Sequence, residues 1–395
     1  MTSSYKRLGD YIQVRKEKNI DLKATKLLGI NIDKFFMPSV ANIVGTDLSN
    51  YKIVKKNQFA CNRMHVGRDY RIPIALSNDE NEFIVSPAYD VFEIIDTNVL
   101  LPEYLMMWFR RKEFDRNTWF HTDADVRGGL PWEAFSNLKL PIPSLEKQQE
   151  IVNEYHTIQN RINLNNQLIA KLEETAQTIY KQWFVDFEFP FDFAQGKPSE
   201  NGKPYKSNGG KMVWCEELEK EIPEGWEVGN FQNELIFKTG KLDSNASVSN
   251  GKYPFFTCSE EVFKVDSYAF EQEAVLLGGN NATGKFPLKY FNGKFDAYQR
   301  TYVISSNHKR ISNKQIYYRI KGLLDEMRES SVGTTTKFLT MQIFNPISII
   351  IPNILTYESF EKIMQRIYNS KQVYFEETQK LEELKELLLG RMVRS

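Results

Sequence analysis

Three cysteines in 395 residues, Cys61, Cys215 and Cys258, stand far apart, and no CxxC or paired His/Cys spacing supplies the four ligands of a zinc site. They read as reduced thiols of a cytoplasmic protein. Histidine is scarce as well: His65, His121, His156 and His308 lie beside no obvious nucleophile, which leaves a catalytic triad unsupported. Neither sign of charge is in excess, since 51 Lys plus Arg balance 51 Asp plus Glu. A neutral whole-molecule field does not hold nucleic acid, so any such contact falls to local basic patches. The opening MTSSYKRLGDYIQV lacks the apolar stretch of a signal peptide, and the longest apolar run, around residues 349–351, is too short to cross a bilayer. A soluble, non-exported chain is expected.

Familiar catalytic signatures are incomplete. Gly279 to Lys285 has the GxxxxGK spacing of a phosphate loop, but Phe286 stands where a hydroxyl should hold magnesium and Pro287 where a helix should begin. Ser86-Pro87-Ala88-Tyr89 and Asn345-Pro346-Ile347-Ser348 only brush the NPPY-like tetrapeptide of an amino-methyltransferase, and no glycine-rich cofactor loop accompanies them. Asp90 is followed by Glu93-Ile94-Ile95, without the lysine of a nuclease core. An adenine methyltransferase or fused modification enzyme with drifted motifs is the alternative these fragments leave open.

Apolar residues make up 41% of the chain, enough for real cores, and its length exceeds what one core usually serves. The division comes from an internal repeat. NLKLPIP at 137–143 and PISIIIP at 346–352 are strand-like runs closed by proline, 209 positions apart, and a long helix is expected after each. At that offset Ile158 falls on Ile367, Asn160 on Asn369, and Lys171-Leu172-Glu173-Glu174 on Lys380-Leu381-Glu382-Glu383. In the first helix Ile151, Tyr155, Ile158, Ile162, Asn165, Ile169, Leu172, Ala176, Ile179 and Trp183 alternate by four and three, a heptad seam. Ser144 is its expected N-cap, and some 40 residues without Gly or Pro would run about 60 Å. The second helix, from about Asn353 to Gly390, shows a less regular stripe of Phe360, Ile363, Ile367, Tyr374, Leu381, Leu384 and Leu388.

The expected fold class is α+β: two mixed α/β units, each followed by a long helix, with the helices packed as an antiparallel coiled coil in a pseudo-two-fold arrangement. The expected boundaries are 1–143 for the first unit, 144–186 for its helix, 187–213 for an exposed Gly/Pro/Lys-rich connector, 214–352 for the second unit and 353–395 for the last helix. RLGDYIQ at 7–13 and EVGNFQN at 227–233 read as matching entry strands with glycine third. Strands are expected at 83–85, 91–95, 274–277 and 301–304, and helices at 102–116 and 314–328.

Between the repeated ends the two units share little sequence, and each holds a polar, cationic stretch. KIVKKNQFACNRMHVGRDYR at 52–71 reads as a loop with Lys55, Lys56, Asn62, Arg63, His65, Arg68 and Arg71 against one acid, Asp69. In the second unit Asn280, Asn281, Thr283, Lys285, Gln299, Arg300, Thr334, Thr335 and Lys337 have few acids near them. Arginine and lysine suit phosphate or guanine and asparagine suits adenine, so these residues are candidate DNA contacts. As ordinary turn chemistry the same residues would need no ligand.

KPYKSNGGKMVW at 203–214, EIPEGWEVG at 221–229, LKLPIPSLEKQQEIV at 138–152 and KLEELKELLLGRMV at 380–393 resemble the specificity subunit of type I restriction–modification systems. NRMHVGRDYRIPIA, IVSPAY, GKFDAYQRTYVI and GTTTKFLT resemble its target-recognition domains. The resemblance implies a non-catalytic subunit whose two target-recognition domains each read half of a split double-stranded DNA site, and whose helices set the spacer. It implies as partners two methyltransferase subunits and a restriction and translocation subunit. S-adenosylmethionine, ATP and magnesium would belong to those partners, with no cofactor or metal on this chain.

Overall fold

The computed structural model describes residues 5–40, 45–64, 66–122 and 128–393. Its contacts fall into two units, Met1–Gln167 with Tyr374–Ser395, and Leu168–Val373. The division cuts across both long helices.

Each unit closes its globular part with one antiparallel strand pair. In the first, Tyr5, Lys6 and Arg7 face Pro141, Leu140 and Lys139. In the second, Val228, Gly229 and Asn230 face Ile350, Ile349 and Ser348. Since Lys139 to Pro141 precede Ser348 to Ile350 by the repeat offset, Arg7 is the counterpart of Asn230. The glycine-matched alignment expected above is therefore wrong by three residues: Gly9 lies in the 3-10 turn after its strand, Gly229 inside its strand. Shared hydrogen bonds, not the shared glycine, define the repeat.

Inside each pair lies a sheet built to one plan. The first unit orders its strands β1 (Ile12–Arg15), β4 (Asp90–Ile94), β2 (Phe59–Cys61) and β3 (Ile74–Leu76). The second orders β5 (Leu235–Thr239), β8 (Thr301–Ser306), β6 (Phe270–Gly278) and β7 (Leu288–Ala297), then adds Tyr253–Phe256 and Val262–Val265. Register agrees as well as order: Phe59 faces Phe92 and Leu76, while Val275 faces Ile304 and Tyr290. Side chains alternate between two faces, and both faces are buried. Phe59, Cys61 and Phe92 join one core and Ala60 and Val91 another; Val275, Leu277 and Ile304 repeat the first arrangement, Leu276 and Val303 the second.

Helices cover the sheets. The helix expected over 102–116 is broken into α1 (Pro102–Phe109) and α2 (Lys112–Phe120). Arg111 turns extended at the break, where its buried guanidinium lies 4.1 Å from the Trp108 ring centroid. The second unit covers its sheet with an unbroken helix, α4 (Asn313–Ser330), whose N-cap Ser312 accepts from the Gln315 amide. Phe135 and Phe344, 209 positions apart, are fully buried at matching places, and truncating either to alanine should cost about 3–5 kcal/mol.

The long helices are α3 (Leu145–Phe184) and α5 (Ile354–Arg391). Their caps repeat, Ser144 accepting from the Lys147 amide and Asn353 from the Thr356 amide. Every expected α3 seam residue is buried or half-buried. The irregular α5 stripe needs correction: Leu384 is exposed, and the inward positions are Phe360, Met364, Ile367, Lys371, Tyr374, Thr378, Leu381, Lys385, Leu388 and Met392. They are the α3 seam shifted by 209. Two lysines and a threonine had hidden it.

In the first unit Arg161 pairs with Glu377 at 2.9 Å and Lys385 donates to Gln159 at 3.2 Å. In the second, Glu173 meets Lys371 and Trp183 meets Phe360. Partners descend along α5 as they ascend along α3, so the segments are antiparallel within each unit. Asn165 is fully buried on the seam, and neither end of its amide makes a well-formed hydrogen bond.

The expected exposed connector is also corrected. Residues 190–204 form a small three-stranded sheet, and Phe189 and Tyr205 are buried, their ring centroids 4.6 Å apart. Phe189 also stacks on Trp226 at 5.2 Å. Aromatic packing overrides the loop-like Gly/Pro composition. Among the described residues no helix is long and apolar enough to cross a membrane.

Candidate nucleic-acid interface

The stretch 52–71 is not one loop. Lys52–Val54 and β2 are strands, so Lys55 and Lys56 sit at one end of β2 and Asn62 to Arg71 follow its other end. The acids absent from the local sequence arrive from elsewhere, Lys55 pairing with Glu17, Lys56 with Glu80 and Arg71 with Asp33, while Arg68 pairs with the one local acid, Asp69. Exposed pairs of this kind are worth ~0–1 kcal/mol and exchange readily for phosphate. Arg63 is held more firmly. Its Nε donates to Asp90 Oδ2 at 2.6 Å, its Nη1 to the Leu130 carbonyl, and its guanidinium packs on Trp132. Arg63 thereby ties this loop to the segment before residues 132–137. Asn62 Oδ1 accepts from the Met64 amide, a local turn. His65 lies outside the described residues.

A second tie is made of backbone. The Gly67 amide donates to the Gly128 carbonyl at 2.8 Å, and a Cβ on Gly67 would stand 2.7 Å from Gly128 Cα. Gly128 has φ +58, so both positions favour glycine.

The second unit places its candidates at the equivalent end of its sheet. The Leu339 amide donates to the Gly279 carbonyl, as the Leu130 amide donates to the Arg63 carbonyl. Asn280 and Asn281 pair with Phe338 and Lys337 in a short ladder, and the Gly279 amide donates to the Arg300 carbonyl at 2.8 Å. Three separate stretches, 279–285, 299–300 and 333–338, are thus joined. Arg300 lies over the Phe338 ring at 5.4 Å, and Gln299 is exposed beside it. Thr334, Thr335 and Lys285 are exposed and Lys337 half-buried. Among the described residues Lys285, Arg300 and Lys337 make no ion pair. Asn281 Oδ1 accepts from the Thr283 amide and hydroxyl, so these two side chains shape the turn. No helix follows Lys285; Phe286 and Pro287 lead into β7.

Sequence reasoning missed the distant acids, the glycine contact, Arg328 beside Gly284, and an exposed aromatic group at Tyr70, Trp119 and Phe120. Alternating patterns single out buried faces, so exposed rings on loop and helix ends carried no signal. Burial pushes the Cys61 thiol far up, which excludes it as a ready nucleophile. Among the described residues no three His, Cys, Asp or Glu side chains group as metal ligands.

The family model described as "Type I restriction modification DNA specificity domain" matches residues 2–174 and 223–386, both halves of the repeat. The EcoDI specificity subunit of Escherichia coli is 34% identical over 154 residues, 38% of this chain and 34% of that one, so the match spans about a third of that relative. The MjaIX specificity subunit of Methanocaldococcus jannaschii is 24% identical over 329 residues, 76% of this chain and 70% of its own. The crystal structure of a type I restriction–modification S subunit from M. genitalium shares the fold, with a TM-score of 0.58 at 15% identity over 98% of this chain and 95% of that one. With the family model matched on both halves and the duplicated strand-pair frame and heptad helices in place, this chain belongs to the type I restriction–modification DNA specificity family.

Proposed function

We propose that the chain is the non-catalytic, DNA-reading subunit of a cytoplasmic type I restriction–modification complex, each globular unit reading one half of a split site. The observation that carries this reading is the pair of sheets with common strand order and register whose loops, at the same end, differ in sequence and charge. One scaffold with two unlike loop sets suits two unlike half-sites. The heads are residues 1–143 and 214–352; residues 144–186 and 353–395 form the spacer, with 187–213 leading into the second head. Asn62, Arg68 and Arg71 serve the first half-site, with His65 as a further candidate and Arg63 as the residue holding the loop. Asn280, Lys285, Gln299, Arg300, Thr334, Thr335 and Lys337 serve the second, on a turn shaped by Asn281 and Thr283. Lys55 and Lys56, at the other strand end, are left to phosphate at most.

Two weak readers on one chain gain affinity through effective concentration only where both half-sites stand at the right separation. The helices α3 and α5 set that separation and dock two methyltransferase subunits, a restriction and translocation subunit completing the complex. S-adenosylmethionine, ATP and magnesium act on those partners. Mapping adenine methylation across genomic DNA, with this chain expressed beside its cognate methyltransferase, tests the reading. A split motif that disappears without this chain is expected. A contiguous motif, or tight S-adenosylmethionine binding by the isolated chain, would overturn it. Removing one heptad from α3 and its facing segment of α5 should change the preferred spacer and leave both half-sites unaltered.

A further inference from the structure

The first unit exposes an aromatic group that its fold does not use. Tyr70 and Trp119 are 63% and 45% exposed, and their ring centroids lie 5.3 Å apart with planes at 55°, while the exposed Phe120 ring neighbours His121 instead. Large rings on a surface mark a contact site when they are clustered and held. These are held. Asp115 on α2 accepts from the Ile72 amide at 3.3 Å and from the buried Lys34 ammonium at 2.7 Å, fastening the segment that carries Tyr70 to the helix that carries Trp119. Tyr70 itself is kept at φ 57, a left-handed conformation that a tyrosine adopts only when its surroundings impose it.

The occupant follows from the repeat. Tyr70 lies on the segment after β2, the counterpart of the segment after β6, where the second unit has Lys285 and where Arg328 of α4 packs against Gly284. In both units the end of the sheet-covering helix thus meets the loop leaving the same strand. One unit offers cations there and the other offers rings. Exposed arginines stand near the rings on both elements, Arg116 on α2 and, paired with Asp69 at the surface, Arg68 on the loop. Rings bordered by arginines suit a nucleic acid, whose bases take the rings and whose phosphates take the charge.

We propose that Tyr70 and Trp119 form a stacking wedge that enters the base stack of the half-site read by the first head. The inference rests on the two-headed reading above. An aromatic ring stacks on any base and carries no hydrogen-bond code, so such a wedge selects by how easily a base step opens. The first half-site should therefore contain a pyrimidine–purine step, TA or CA/TG, at the wedge. The second half-site is under no such requirement.

The test uses the chain assembled with its methyltransferase subunits, on duplexes carrying the mapped motif with 2-aminopurine walked through the first half-site. One position away from the methylated adenine should brighten at least threefold on binding. The double substitution Tyr70→Ala/Trp119→Ala should abolish that brightening and weaken binding about tenfold, whereas Tyr70→Phe/Trp119→Phe, which keeps both rings, should preserve both. A wild-type complex that reads no split motif overturns the two-headed reading and the wedge together. With a split motif in hand, three results overturn the wedge alone: no brightened step apart from the methylated adenine, brightening unchanged in the alanine variant, or loss of subunit assembly in that variant on gel filtration.

Discussion

Glu173 is the charged residue through which α3 grips α4 and α5 in the second unit, and replacing it with glutamine measures that part of the hold. Its carboxylate accepts from Lys321 on α4 at 2.7 Å, from Lys371 on α5 at 2.5 Å and from the Tyr318 hydroxyl at 3.2 Å. The three charged side chains retain between 21% and 29% of their surface, so solvent screens them only in part. A hydrogen bond to a charged group contributes ~1.5–3 kcal/mol. Glutamine keeps one acceptor and leaves two ammonium groups without a counter-charge, so after discounting for the residual exposure Glu173→Gln should cost about 2–3 kcal/mol at pH 7. The pH dependence is fixed in sign. Burial alone would raise this carboxyl, but Lys321 and Lys371 outweigh it and hold it below its ordinary value of 4.5. A carboxylate with a depressed folded pKa contributes fully above the unfolded value, and the contribution is lost as pH falls through the folded one. Urea unfolding of wild type and variant from pH 7 down to acid should therefore show a gap that is constant above about pH 5 and closes below it. A gap under about 0.5 kcal/mol at pH 7, or one that widens on acidification, would refute the reasoning.

Other substitutions probe separate parts of the molecule. Asn165→Leu removes a fully buried amide without a well-formed partner and should raise stability by about 1–2 kcal/mol in thermal unfolding; a drop in the midpoint would show that Asn165 is satisfied. Arg300→Ala should relax one position of the second half-site by about 1–3 kcal/mol in a methylation map, whereas Lys56→Ala, at the remote strand end of the first unit, should leave every motif position intact. Gly67→Ala drives a Cβ to 2.7 Å from Gly128 Cα, and should slow methylation at the mapped site while discrimination within the second half-site stays unchanged.

The frame was legible where its physics is written in side chains. The α3 seam shows in ten apolar or amide residues at alternating spacing, and its ends follow from Ser144 and the glycine-free run. The matching α5 seam was obscured because Lys371 and Lys385 occupy inward positions, their ammonium groups satisfied by Glu173, Glu382 and Gln159. Backbone hydrogen bonding leaves still less trace. That Arg7 corresponds to Asn230, or Phe59 to Val275, is a matter of which amide meets which carbonyl, and the coincidence of Gly9 with Gly229 pointed to the wrong register. The candidate interface was half legible: residue types suited to DNA were visible, but Glu17, Asp33, Glu80 and Asp90 come from distant segments and neutralise the first unit's cluster. The Gly/Pro-rich stretch misled for a related reason, since its rings, Phe187, Phe189, Phe191, Phe193 and Tyr205, gather with Trp226 into a cluster that composition does not reveal.

Each head joins its helix through two neighbouring strands, Tyr5–Arg7 beside Lys139–Pro141 and Glu227–Asn230 beside Ser348–Ile351. Those ladders consist mainly of main-chain bonds and make few demands on residue identity. The way in and the way out of a head therefore share one doorway, and another room can stand behind it provided that it keeps the side chains, Lys321 and Tyr318 in the second head, that grip the helices in front. On the two-headed reading, a new preference at one half-site would arise by refitting a single room with that grip kept, the corridor and its length remaining as they were.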